Sequence, residues 1–114
     1  MKELADFKCL PCRGNTPTLT ADEIASLLPE LPEWVLIEIE GIQRLERKFA
    51  FKNFTDALAF TNQIGAVAEA EDHHPLIVTE WGNVTVQWWT YAIRGLHKND
   101  FIMAAKIDSL PFYI

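Results

Sequence analysis

Two adjacent histidines, His73 and His74, are the residues of this chain best suited to proton transfer. The ordinary pKa of histidine lets it give and take protons near neutral pH, so a pair can hold one acid and one base together. Glu69 and Asp72 precede the pair, and three large aromatic residues follow it: Trp81, Trp89 and Tyr91. These residue types predict a cup for a flat polar ring, with aromatic walls and a few orienting polar groups.

The histidine pair also has simpler explanations. At the end of a helix, protonated histidines stabilise the helix dipole, and an exposed pair needs no function. Metal binding is disfavoured, because adjacent residues rarely point at one ion and no third soft ligand lies nearby in the sequence. Spacing alone therefore leaves catalysis, dipole capping and simple surface placement open.

Residues 1–18 show no sustained periodicity and contain Pro11, Gly14 and Pro17, so we expect an N-terminal arm ahead of one domain over residues 19–114. Within the arm, Cys9-Leu-Pro-Cys12 has the spacing of a redox motif or of half a zinc site. A redox motif should open a helix after a strand, and zinc needs four ligands. We expect two reduced thiols with neither role.

Composition limits the class of protein. The chain has 114 residues, 49% of them hydrophobic, which is typical of one globular domain. Its formal charge of −6 disfavours nucleic acid as a direct partner, since a phosphate backbone would be repelled. With no export leader and no apolar run long enough for a membrane span, we expect a cytoplasmic protein.

Three helices are predicted from capping signals and hydrophobic spacing. The capping box Thr20-Ala-Asp-Glu23 begins a short helix. Asn53 is the N-cap of a long helix that runs to about Glu71, and residues 99–110 form a closing helix. The proline after the histidine pair disfavours helical backbone before it, so the pair should lie where the long helix ends.

Four strands are predicted as two hairpins. The first turns at Glu40-Gly41 and the second around Gly82-Asn83, and the last strand, residues 84–93, has one aliphatic and one polar-aromatic face. Arg47 falls on the apolar side of its strand, where we expect it to snorkel at the sheet edge. The order α-β-β-α-β-β-α predicts an α+β domain, a four-stranded antiparallel sheet with helices packed on one face.

The segment Glu69-Ala-Glu-Asp-His73-His74-Pro75, with Trp81 five residues on and Gly95-Leu-His-Lys-Asn-Asp100 downstream, resembles the signature of the pterin-4a-carbinolamine dehydratases. The resemblance covers residues from about 19 to 110. It implies dehydration of a 4a-hydroxytetrahydropterin to the quinonoid dihydropterin, a step in recycling the pterin cofactor of aromatic amino-acid hydroxylases. It also implies that no metal or organic cofactor takes part.

The resemblance implies a role for each residue of the motif. His73 and His74 would be the acid, base and substrate-orienting groups, and Asp100 would orient them within the catalytic set. The pterin would contact residues at the end of the long helix and in the second hairpin: Glu69, Asp72, Trp81, Trp89, Thr90 and Ala92. Glu69 would also orient the histidines.

One position departs from the family pattern. At the position that follows Trp81 after nine intervening residues, where the family has His or less often Trp, this chain has Tyr91. A phenol donates a hydrogen bond at neutral pH but accepts a full proton poorly, and loss of a principal base lowers a rate by about 10²–10⁴. Three interpretations remain: the histidine pair suffices, Tyr91 is the acid, or the site binds a pterin without turnover.

The alternative function is a non-catalytic pterin-binding or protein-assembly role on the same fold. The resemblance permits it because the family includes a coactivator that stabilises a homeodomain factor's dimer. The resemblance also implies a homodimer or a homotetramer built as a dimer of dimers. Self-association would protect the edge strands that so small a sheet leaves open.

Overall fold

The structure, a computed structural model, describes residues 3–11 and 14–111. The main elements are α1 (Ala21–Leu27), β1 (Val35–Ile39), β2 (Ile42–Ala50), α2 (Phe54–Glu71), β3 (Leu76–Glu80), β4 (Asn83–Trp88) and α3 (Lys98–Asp108). Short 3₁₀ turns lie at Leu4–Asp6, Leu28–Glu30 and Tyr91–Ile93. The predicted order α-β-β-α-β-β-α is confirmed.

The strands form one antiparallel sheet in the order β1-β2-β4-β3, so β2 and β4 are central and β1 and β3 are edges. The helices cover one face. There Phe49 of β2 and Trp88 of β4 are fully buried in a single hydrophobic cluster with Phe60 of α2 and Phe101 of α3. The predicted α+β class is confirmed.

The predicted N-caps Thr20 and Asn53 are also confirmed, whereas the closing helix, predicted over residues 99–110, runs from Lys98 to Asp108 with His97 as its N-cap. The Thr20 hydroxyl accepts from the Glu23 N–H at 3.2 Å, and the Glu23 carboxylate accepts from the Thr20 N–H at 2.8 Å. The Asn53 side chain accepts from the Asp56 N–H at 2.8 Å. These bonds satisfy N–H groups that a helix start leaves without an intrahelical partner.

The first hairpin turns where it was predicted, and the second one residue earlier. Glu40 and Gly41 have φ of 52° and 79°, the left-handed pair that suits a two-residue hairpin turn. In the second hairpin Glu80 pairs with Asn83, so the turn is Trp81-Gly82 and not Gly82-Asn83. Gly82, with φ 84°, occupies the second position of this turn, whereas the sequence predicted it at the first position.

The last strand is shorter than predicted, because β4 ends at Trp88 and not at Ile93. Beyond it Thr90 forms an isolated antiparallel bridge with Gly95: the Thr90 N–H donates to the Gly95 carbonyl at 2.9 Å. The Tyr91–Ile93 turn bulges out between these two residues. The bridge fixes this turn at the end of the sheet, beside the start of α3.

Arg47 does not snorkel at a sheet edge, because β2 is a central strand. Its Nη1 donates to Asp108 Oδ1 of α3 at 2.8 Å, and the indole N–H of Trp34 donates to both oxygens of that carboxylate at 3.0 Å. Burial raises the pKa of Asp108, although the bonds from Trp34 and Arg47 oppose that effect. The cluster ties α3 to the sheet.

The described part of the N-terminal arm packs against α3. Leu4 is buried in the core cluster, and Lys106 Nζ donates to the Ala5 carbonyl at 2.8 Å. Cys12, the second thiol of the Cys9-Leu-Pro-Cys12 motif, lies outside the described residues, as do residues 1–2, 13 and 112–114. The expected pair of reduced thiols therefore stays a prediction, although Cys9 itself is free.

Candidate active site

Helix α2 ends at a residue that redirects the chain. Asp72 has φ 51° and ψ 44°, the left-handed conformation that commonly ends helices, and its N–H bonds the carbonyls of Ala68 and Glu69. The His73 N–H then donates to the Ala68 carbonyl at 3.1 Å. This cap turns the histidine pair out of the helix before Pro75 leads into β3, as the sequence predicts.

His73 is held by a buried carboxylate. Its Nε2 lies 2.6 Å from Oδ1 of Asp100, which has no exposed surface. The other oxygen, Oδ2, accepts from the Thr90 hydroxyl at 2.8 Å and from the His97 N–H at 3.0 Å. A carboxylate partner favours a proton on Nε2 and leaves Nδ1 as an acceptor. This arrangement suits His73 to take a proton.

The ring of His73 also stacks on the indole of Trp88, with centroids 5.8 Å apart and planes 7° from parallel. Trp88 is fully buried at the end of β4. One face of the imidazole therefore rests on the core while its Nε2 edge is held by Asp100. The orientation of His73 is fixed by two contacts of different kinds.

His74 has a more open environment. Its Nε2 lies 3.3 Å from Glu69 Oε1, with side-chain exposures of 53% and 79% for the two residues. An exposed pair at this distance contributes little to stability. Glu69 does not itself line the cleft but contacts His74, which lies at the exposed rim of the cleft.

A cleft of about 560 Å³ opens beside the histidine pair, a volume within the range of small-molecule sites. The structure brings most of the predicted residues together in its lining: Asp72, His73, His74, Trp89, Thr90, Tyr91 and Ala92. Asp100 lies behind His73. Trp81 is not brought to the cleft within one chain, since it occupies the tip of the second hairpin and is 73% exposed.

The aromatic wall of the cleft is Trp89 with Tyr91, whose ring centroids are 4.8 Å apart. Trp89 is buried, whereas Tyr91 is 73% exposed and extends the wall toward solvent. The guanidinium of Arg44 lies 3.8 Å from the centroid of the Trp89 ring, and Arg44 Nη1 donates to Gln87 at 2.9 Å.

Five of the residues that line the cleft were missed in the sequence analysis. Cys9, Leu10, Pro11, Glu71 and Asn99 complete the lining. Asn99 stands next to Asp100 at the start of α3, and that adjacency is the signal that could have identified it. No periodicity marks the arm residues, whose contacts are with parts of the chain far away in sequence.

His97 caps α3 instead of lining the cleft. Its Nδ1 accepts from the Asn99 N–H at 3.0 Å, a bond that requires an unprotonated Nδ1. Burial lowers the pKa of His97 and His73 adds to that effect, while Asp100 opposes it. The cap holds Asn99 and Asp100 in the first turn of the helix.

Over residues 3–11 and 14–111, no three His, Cys, Asp or Glu side chains are grouped as a metal site would need. In the same part of the chain, no helix has the length and apolar character to cross a membrane.

The chain is similar to known proteins of one family. A family model for pterin 4 alpha carbinolamine dehydratase matches residues 17–110. A protein named "Putative pterin-4-alpha-carbinolamine dehydratase" from Syntrophotalea carbinolica is 54% identical over 110 residues, 96% of this chain and 98% of that one. A similarly named protein of Gloeobacter violaceus is 53% identical over 107 residues, 94% of this chain and 92% of that one.

A solved structure is also similar. A crystal structure described as a transcriptional coactivator/pterin dehydratase from Brucella melitensis matches with a TM-score of 0.72 and 32% identity. The match covers 81% of this chain and 96% of that one. The chain therefore belongs to the pterin 4a-carbinolamine dehydratase family, and the resemblance noted in its sequence is confirmed.

Proposed function

We propose that this protein dehydrates a 4a-hydroxytetrahydropterin to the quinonoid dihydropterin, with release of water, as a step in recycling a pterin cofactor. The observation that carries the proposal is the contact of His73 with the buried carboxylate of Asp100 at the wall of an aromatic-lined cleft. Membership of the dehydratase family supports the same class of reaction, that of a hydro-lyase.

The chemistry needs one proton acceptor and one proton donor. The N5 proton is removed, its bonding electrons form the C4a=N5 double bond, and the C4a–O bond breaks as the hydroxyl leaves with a proton as water. His73 Nδ1 is the acceptor in this proposal. The Asp100 carboxylate stabilises the imidazolium that forms, as the carboxylate does in other carboxylate–histidine pairs.

The donor comes from the rim of the cleft. His74 and Tyr91 both line it and both face solvent, so either can protonate the departing hydroxyl and be re-protonated from water. The Tyr91 phenol serves as a donor but is a poor substitute for a histidine base. We therefore propose a working enzyme with turnover below that of a relative with a third histidine.

The test follows quinonoid dihydropterin formation from freshly made 4a-carbinolamine against the spontaneous rate. We expect wild type to exceed the spontaneous rate, His73→Ala to fall by about 10²–10⁴ and Tyr91→His to turn over faster than wild type. A wild-type rate equal to the spontaneous one rules out the enzymatic proposal. If Tyr91→His alone shows turnover, Tyr91 is the residue that limits catalysis.

The second candidate is a non-catalytic protein that binds a pterin or assists the assembly of another protein. Tyr91 at the third histidine position is the observation that favours it, and the Brucella melitensis protein is described as both a transcriptional coactivator and a pterin dehydratase. Quenching of tryptophan fluorescence by a reduced pterin without any turnover would select this function over the enzyme.

We also propose that the protein self-associates as a dimer or a dimer of dimers. The edge strands support this, because Val35 and Leu36 of β1 and Leu76 and Val78 of β3 expose apolar side chains beside unpaired strand edges. Sedimentation equilibrium of wild type, Val35→Lys and Val78→Lys is the test. A monomeric wild type would refute the proposal.

A further inference from the structure

Three residues of the N-terminal arm, Cys9–Pro11, form part of the cleft lining, and we call them the arm wall. They precede the segment that the family model matches, residues 17–110. The arm wall therefore adds to the cleft a surface that lies outside the segment matched by the family model. Its position depends on a few specific bonds.

The first attachment is a reciprocal pair of hydrogen bonds between Asn99 and the backbone of Leu10. Asn99 Oδ1 accepts from the Leu10 N–H at 2.9 Å, and Asn99 Nδ2 donates to the Leu10 carbonyl at 2.6 Å. The side-chain amide of Asn99 supplies both the donor and the acceptor that this pair of bonds needs. Asn99 is buried, so each unmade bond would leave a polar group without water.

The second attachment is to the end of α2. The Cys9 N–H donates to Glu71 Oε1 at 2.9 Å, and the Cys9 thiol lies 3.9 Å from the Asn99 carbonyl oxygen. Glu71 stands two residues before His73, and Asn99 stands one residue before Asp100. The arm wall thus bridges the two elements that carry the His73–Asp100 contact.

We propose that the arm wall is part of the ligand site and that Asn99 is a positioning residue that acts through Leu10 to hold it there. A wall ordered before binding adds contact surface to the ligand without an ordering cost at the moment of association. Its loss weakens ligand binding and leaves proton transfer at His73 in place. The ligand's identity as a pterin rests on the proposed function.

Binding and kinetics test the first consequence. The probe is 7,8-dihydrobiopterin, measured by quenching of tryptophan fluorescence, together with KM and kcat for the 4a-carbinolamine. We expect Asn99→Ala to raise Kd and KM about 3- to 30-fold, the range set by two lost hydrogen bonds, with little change in kcat. Asn62→Ala, at an exposed asparagine of α2, is the matched control and should behave as wild type.

Two further variants separate the arm wall from a general folding defect. Asn99→Asp keeps the side-chain volume and the acceptor for the Leu10 N–H but sets a carboxylate oxygen against the Leu10 carbonyl, so its effect on Kd and KM should be at least as large as that of Asn99→Ala. Pro11→Gly changes an exposed residue of the arm wall and leaves the core intact. It should raise Kd and KM in the same direction as Asn99→Ala with only a small fall in melting temperature, which comes from the greater entropy of the unfolded chain.

Alkylation of Cys9 tests the position of the arm wall directly, in a Cys12→Ser background where Cys9 is the one remaining thiol. Burial raises the pKa of Cys9 to about 12, so iodoacetamide should react slowly with the seated arm. Saturating 7,8-dihydrobiopterin should slow the reaction further. Asn99→Ala should speed it about tenfold and lose the protection by ligand.

The outcomes distinguish this inference from the proposed function. If wild type binds 7,8-dihydrobiopterin but the ligand does not slow Cys9 alkylation, or if Kd and KM of Asn99→Ala and Pro11→Gly match wild type, the arm wall is not part of the site. If wild type does not bind 7,8-dihydrobiopterin at all, the proposed function fails and the pterin assignment of this site fails with it.

Discussion

The Nε2 atom of His73 lies 2.6 Å from Oδ1 of Asp100, and this contact joins the end of α2 to the first turn of α3. Both partners are fixed independently. Stacking on Trp88 orients the imidazole, and bonds from Thr90 and His97 hold the far oxygen of the carboxylate. The geometry of the candidate base is therefore set by the core.

Replacing Asp100 by Asn tests the tautomer that the carboxylate selects. The Thr90 hydroxyl and the His97 N–H both donate to Oδ2, so the amide oxygen of Asn should take that place and its NH₂ should face His73. The ring would then carry its proton on Nδ1 and lose its acceptor. We expect kcat to fall by about 10²–10³.

The measurement is steady-state turnover of the 4a-carbinolamine, with folding followed by circular dichroism. Asp22→Asn, at an exposed aspartate of α1, is the matched control and should keep wild-type kcat. An Asp100→Asn protein that is folded and fully active would remove His73 Nδ1 from the mechanism.

Gly95 should not tolerate a side chain. A Cβ there would lie 2.6 Å from Thr18 Cγ2, so Gly95→Ala should cost about 1–3 kcal/mol in the free energy of unfolding. Thr18→Ala removes that methyl group and leaves Thr18 Cβ at 3.4 Å, so the double variant should recover most of the loss. Urea unfolding of the four proteins measures the coupling.

Gly65→Ala is the comparison for Gly95→Ala. It lies inside α2, where an added Cβ meets nothing within 4 Å, so Gly65→Ala should stabilise the protein by about 0.5–1 kcal/mol. Equal effects of Gly65→Ala and Gly95→Ala would show that backbone entropy, and not the contact with Thr18, governs both sites.

His97 should make stability fall in mild acid. Because the pKa of His97 is lowered in the folded protein, mainly by burial, the unfolded chain binds more protons as the pH drops below about 6.5. Protonation of Nδ1 also removes the cap on the Asn99 N–H. His97→Ser keeps a good N-cap that does not titrate.

We expect His97→Ser to match wild type near neutral pH and to become the more stable protein as the pH falls toward about 5. Urea midpoints across this range give the comparison. Parallel pH profiles for wild type and His97→Ser would show that the cap does not titrate.

Asp108 should contribute to stability through Trp34 and Arg47. Asp108→Ala removes the acceptor of both partners, and we expect a loss of about 1–3 kcal/mol. Ser109→Ala, at the exposed neighbouring position, is the control. If chemical denaturation shows equal stability for Asp108→Ala and wild type, the cluster does not tie α3 to the sheet.

The predicted parts of the fold rest on local signals. The capping box at Thr20 and the N-cap at Asn53 use bonds within one turn of chain, so the sequence is sufficient to identify them. The second hairpin was misplaced by one residue because a single glycine can occupy either turn position. The role of Arg47 depends on the strand order, which joins β2 to β4 and is not a local property.

In the candidate site too, features set by adjacent residues were predicted and features set by distant contacts were missed. The histidine pair was placed correctly at the end of α2 because proline and helix periodicity act on adjacent residues. The arm wall was missed because Leu10 contacts Asn99, 89 residues away, and no periodic pattern marks the arm. Trp81 follows the family motif in sequence, yet the turn of the second hairpin carries it away from the cleft.

The cleft lining has a thermodynamic consequence. Cys9 bonds Glu71 across 62 residues and approaches Asn99 across 90, so the cleft cannot exist in the unfolded chain. By mass action, a ligand that occupies it at 100 times its Kd adds about 2.7 kcal/mol to the apparent stability. Thermal shifts should therefore rank pterins of different oxidation state and side chain directly, independent of catalytic turnover.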